Sequence, residues 1–204
     1  MIPTITATAK LTAEMFFDFV HQPENVNKWF ELDRGEVIEV PPPNVLHGIV
    51  CIRMGRYLDQ FLDDHGGGYV AGNDSGVILA RDPDIVRGPD VAVFADAKVI
   101  ADVHPKYGEV APILVVEVLS PNDRAARINR KIADYFQAGT KLVWLFDPES
   151  FTVIVHRLNG AAQVLDMTGT LDGEDVIPGF QCKLADIYRL PNEPRSGIAP
   201  PHRP

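Results

Sequence analysis

Residues 113–119 read ILVVEVL, aliphatic throughout except for Glu117, the pattern of a strand buried on both faces. Over residues 123–138, Ile128, Ile132 and Phe136 recur at helical spacing, and Gly139 stops the helix. KLVWLFD, residues 141–147, is a second buried strand, so strand, helix and strand form a right-handed parallel crossover. FTVIVHR, beyond the DPES turn, predicts an antiparallel neighbour, and AQVLDM an edge strand. Upstream, residues 11–20 predict a short helix capped by Thr12, and residues 29–40 a β-hairpin turning at Arg34-Gly35. A helix over residues 45–64 follows, with Val50, Met54, Tyr57 and Phe61 as its inward row and Gly66 as its stop. GVILA and DVAVFAD add two strands joined by RDPDIVRGP, and LADIY a final helical turn over 184–188. The order predicts an α/β fold, a central mixed β-sheet flanked by helices, as one domain over residues 1–190. The Pro-rich stretch 191–204 is expected to be a mobile tail.

At 204 residues, 46% hydrophobic and 23% charged, the chain suits a single core. No apolar stretch reaches the ~18 residues of a membrane span. The N-terminus, MIPTITATAK, lacks the charged start and long apolar run of a secretory signal, so a cytoplasmic location without a membrane partner is expected. Cys51 and Cys182 lie far apart, among apolar residues and without metal-ligand spacing, and read as reduced, buried thiols. HGGGYVAGNDSG lacks the Lys-Ser/Thr end and following helix of a phosphate cradle. The net charge of −9 argues against a basic nucleic-acid coat, but not against a carboxylate-rich metal site acting on nucleic acid. Locally the balance reverses: Arg124, Arg127, Arg130 and Lys131 cluster just after the strand that carries Glu117.

An ionised acid inside an oily strand costs on the order of several kcal/mol unless a partner compensates it. Asp90, after Pro89, opens another strand, and Lys131 rides on the helix that leaves the Glu117 strand. Taken singly, Asp90 is an ordinary strand-start acid, Glu117 an arginine's partner and Lys131 a solvated helix lysine. Taken together, two carboxylates on neighbouring strands suit Mg²⁺ or Mn²⁺, hard ions that favour oxygen ligands. The cation would offset the burial of Glu117, and a lysine nearby steadies charge developing on a phosphate.

The stretches FELDRGEVIEVPPPNVLHG, RGPDVAVF, LVVEVLSPNDR, KIADYFQAGTKLVWLFDPE and LDGEDVIPGF resemble the PD-(D/E)XK nuclease superfamily, and more closely its bacterial Uma2 group of restriction-endonuclease-like proteins. The resemblance spans roughly residues 11–190, and VVEVLSP followed by Lys131 and Tyr135 is its most specific part. It implies a restriction-endonuclease-like fold and Mg²⁺- or Mn²⁺-dependent hydrolysis of DNA. The metal ligands it implies are Asp90, Glu117 and the carbonyl of Val118. The superfamily's lysine stands two residues after the acid, where this chain has Leu119, so the resemblance points to Lys131, with Arg130 as rival. For a further acid it offers Glu36 first, then Glu39, with His47 as another ligand candidate. Arg124 and Arg127 would touch backbone phosphates, while Tyr135 and Trp144 fill core. Cutting both strands calls for two sites, which favours a homodimer. The alternative is a nuclease-fold module that binds or assembles without hydrolysis.

Overall fold

A computed structural model describes residues 10–121 and 123–190; the expected tail, 191–204, lies outside the described residues. Thr12 caps helix α1 (Ala13–Val20) by accepting from the Met15 N–H at 3.3 Å. Strands β1 (Trp29–Asp33) and β2 (Glu36–Val40) pair antiparallel about Arg34 and Gly35, whose φ values of 54 and 80° are the left-handed pair a tight hairpin requires. Asn44 caps helix α2 (Val45–His65), and Gly66, at φ 75°, ends it. Its fully inward row is Val50, Met54, Leu58 and Leu62; Tyr57 and Phe61, expected there, flank it half-buried.

Strands β3 (Tyr69–Gly72), β4 (Val77–Ala80), β5 (Ile85–Arg87) and β6 (Val91–Phe94) follow. RDPDIVRGP, expected to be only a connection, contains β5, which bridges the hairpin to β4 in a four-stranded sheet ordered β2-β1-β5-β4. Strand β7 (Leu114–Val118), helix α3 (Ala125–Ala138) and strand β8 (Leu142–Asp147) form the expected crossover, with β7 and β8 parallel. Gly139, at φ 110°, closes α3. Strands β9 (Thr152–Arg157) and β10 (Gln163–Leu165) extend the main, six-stranded sheet, ordered β10-β9-β8-β7-β6-β3. Strands β11 (Thr170–Asp172) and β12 (Gln181–Lys183), absent from the sequence reading, form a separate ribbon before helix α4 (Leu184–Tyr188). Among the described residues no helix is long and apolar enough to cross a membrane.

The faces of β7 organise the site. Leu114, Val116 and Val118 pack into the core that α2 covers, with Val50, Met54 and Leu58. Val115 packs on the opposite face, against Ile128, Ile132 and Tyr135 of α3. Side chains alternate along a strand, so Glu117 shares Val115's face and points at α3.

Candidate active site

Glu117 is 5% exposed, and each of its oxygens has a partner from α3. Lys131 Nζ donates to Oε2 at 2.7 Å and the Tyr135 hydroxyl to Oε1 at 2.6 Å. Lys131 and Tyr135 stand one helical turn apart, which puts both on the face that meets β7. Part of the compensation sought for the buried acid therefore comes from the chain itself. Leu119, two residues after Glu117, carries no charge, and the amine beside Glu117 is that of Lys131 on α3.

Asp90, at the entry to β6, reaches across to β7: its Oδ2 accepts the Val118 N–H at 2.6 Å. Its Oδ1 lies 3.2 Å from Nε2 of His47, which is set by the first turn of α2. Asp90, Glu117, Val118 and Lys131 thus line one cleft of about 70 Å³, together with Glu31 and His47.

The resemblance points to Glu36 as the additional acid. Glu36 is exposed at the start of β2, as is Glu39 further along, and neither lines the cleft. The hairpin acid in the cleft is Glu31 of β1, 4% exposed, with Oε1 3.0 Å from Lys131 Nζ. Its Oε2 accepts from Arg87 at 3.1 Å and Arg127 at 2.9 Å. Arg87, 1% exposed, also holds Asp134 at 2.6 Å and Asp33 at 3.3 Å. Arg127 is thus partly committed to Glu31, while Arg124 is exposed. Tyr135 and Trp144 are fully buried.

Their surroundings push Glu117, Glu31 and Asp74 in different directions. Burial first, then the Asp90 and Glu31 carboxylates, push Glu117 up to about 7 against the pull of Lys131. Burial acts upward on Glu31 too, but the Lys131 ammonium and Arg87 guanidinium outweigh it and hold the carboxyl at about 2. Asp74, also in the cleft, is pushed up to about 6 by burial and by Asp90. Burial disfavours charge on Lys131, yet Glu117 and Glu31 prevail and keep its proton bound well above the usual range. His47 is likewise raised, with Asp90 overcoming burial. A protonated amine between two carboxylates stabilises negative charge; it is not a base.

Among the described residues, His47, Cys51 and Asp90 also bring possible metal-ligand atoms within 4.8 Å of one another. Cys51 has no ligand spacing to Cys182, but His47 and Cys51 stand four apart on one helix face.

A family model described as "Uma2: Putative restriction endonuclease" matches residues 16–185. The fold is similar to the crystal structure of "a putative nuclease belonging to DUF820 from Anabaena variabilis ATCC 29413", with a TM-score of 0.72 and 20% identity over 84% of this chain and 96% of that one. No curated protein matches the chain.

Proposed function

Since the chain belongs to the Uma2 family of restriction-endonuclease-like proteins, we propose that it is a divalent-metal-dependent endonuclease that hydrolyses phosphodiester bonds of DNA. The observation that carries this reading is the convergence of Asp90, Glu117 and Lys131, from three elements, on one cleft. The donor set fits a hard cation: two carboxylates and the Val118 carbonyl, all oxygen, beside the further acid Glu31. Asp90, Glu117 and that carbonyl would hold Mg²⁺ or Mn²⁺, which when bound supplies Lewis-acid stabilisation and a more acidic water. Lys131, its proton secured by Glu117 and Glu31, offers a fixed positive charge to a phosphate oxygen as negative charge builds there. Glu31, rather than the exposed Glu36, is the further acid and holds that ammonium in place. His47 and the Val118 N–H fix both oxygens of Asp90. Exposed Arg124, with Arg127 at the rim, would contact backbone phosphates, which sets position and not sequence. A homodimer would present two such sites to the two strands.

Nicking of supercoiled plasmid in Mg²⁺ or Mn²⁺ tests the reading. Wild type should nick, and Asp90→Ala and Glu117→Ala should not. Absence of cleavage on every nucleic acid offered, under either ion, sinks it. One observation favours a second reading, a silent nuclease-fold binder: both Glu117 oxygens are already engaged by α3. Such a protein would bind nucleic acid without cleaving it and show no thermal stabilisation by Mg²⁺ or Mn²⁺.

A further inference from the structure

We propose that His47, Cys51 and Asp90 form a binding site for a thiophilic divalent transition ion of the Zn²⁺ class. This position differs in ligand chemistry from the all-oxygen position at Glu117. It stands on its own geometry and does not require the nuclease reading.

The site is assembled by the first two turns of α2. Asn44 caps the helix by accepting the His47 N–H at 2.9 Å, which fixes where the imidazole leaves the backbone. Four residues on, Cys51 projects from the same face, with Sγ 3.3 Å from Nδ1 of His47. Asp90 closes the group from β6, its Oδ1 3.2 Å from Nε2 of the same ring. One sulfur, one nitrogen and one oxygen atom from these residues lie within 4.8 Å of one another. Three protein ligands with one open side are the pattern of an exchangeable zinc position. The open side is a cavity of about 670 Å³ that His47, Cys51, Asp74 and Asp90 line, which provides an entry path.

A thiol, an imidazole and a carboxylate in a row also invite reading as a nucleophilic triad, and the surroundings decide against it. A reactive cysteine needs positive neighbours. Cys51 instead opens on a cavity that it shares with the Asp74 and Asp90 carboxylates, and the basic group against it, His47, is itself held by Asp90. The same carboxylates attract a cation, and a bound dication deprotonates a coordinating thiol outright. Sulfur and imidazole ligation select zinc-like ions over magnesium. Because Asp90 belongs to both positions, an ion held by Cys51 draws on a carboxylate that the oxygen position also uses.

Titration of the full chain with Co²⁺, followed by absorbance, tests this. The expected result is a sulfur-to-cobalt charge-transfer band that Zn²⁺ displaces and Mg²⁺ does not. The band should vanish in Cys51→Ser and survive in Cys182→Ser. A wild-type protein without the band overturns the proposal, as does a band that persists in Cys51→Ser. A second measurement on wild type covers a poorly folding variant: Zn²⁺ should slow alkylation of Cys51 but not of Cys182, read by mass spectrometry. Equal alkylation of Cys51 with and without Zn²⁺ overturns the proposal. The outcome is independent of cleavage, so failure here and failure of the nuclease reading are told apart.

Discussion

Lys131 Nζ sits 2.7 Å from Glu117 Oε2, a buried ion pair formed by a helix folding back over the strand it has just left. Removing one member strands the other's charge. Lys131→Met should cost about 3–5 kcal/mol in a urea melt, and adding Glu117→Gln should restore part of it, since Glu31 loses the same ammonium. An additive double mutant, with no recovery, would show that the pair is not coupled.

Tyr135 supplies the second bond to Glu117 at nearly unchanged volume. Tyr135→Phe therefore leaves no cavity but takes a donor from a buried acid, with an expected loss of about 1.5–3 kcal/mol. The loss should shrink to about 0.5–1.5 kcal/mol in a Glu117→Gln background, where the acceptor is a neutral amide oxygen.

Acid pH should act on the two central glutamates with opposite sign. Glu31 is depressed from 4.5 to about 2, so its contribution is complete above pH 4.5 and is lost as pH falls through 2. At about 1.4 kcal/mol per pH unit, that contribution is ~3 kcal/mol. Glu117 is raised to about 7, so it binds its proton more tightly folded than unfolded and loses stability as pH rises from 4.5 through 7. Urea melts of Glu31→Gln should show a large deficit at pH 7 that narrows toward pH 2. Exposed Glu36→Gln, as a control, should stay within ±~0.5 kcal/mol throughout.

Arg87 is the cation around which Glu31, Asp33 and Asp134 gather. Arg87→Leu would leave these acids short of a counter-charge in a dry setting, for a loss of at least about 3–5 kcal/mol. Because Glu31 also holds Lys131, plasmid nicking should fall in the same variant even under conditions where it remains folded.

Much of this was legible in the chain. The Arg34-Gly35 hairpin, α2 and the β7-α3-β8 crossover follow from turn chemistry and periodicity, which are local. Glu117 could be nominated because it interrupts an aliphatic run, while Asp90 and Lys131, ordinary taken singly, could be nominated only in combination with it and through the resemblance. Glu31 could not, since WFELD reads as an ordinary alternating strand. Its burial depends on Arg87 and Arg127, 56 and 96 residues away in the chain. Strand β5 is only three residues long and hid between turn-forming neighbours. The His47–Cys51 spacing was a local signal, visible once α2 is taken as a helix and its faces are drawn.

The parity of β7 has an assembly consequence. A slip of one residue against β6 and β8 would present Val116 to the lysine and drive Glu117 into the oil beneath α2, a charge with nowhere to go. The acid thereby proofreads the sheet: only the native alignment neutralises it. The residue that lines the cleft thus also penalises the nearest misfolded competitor.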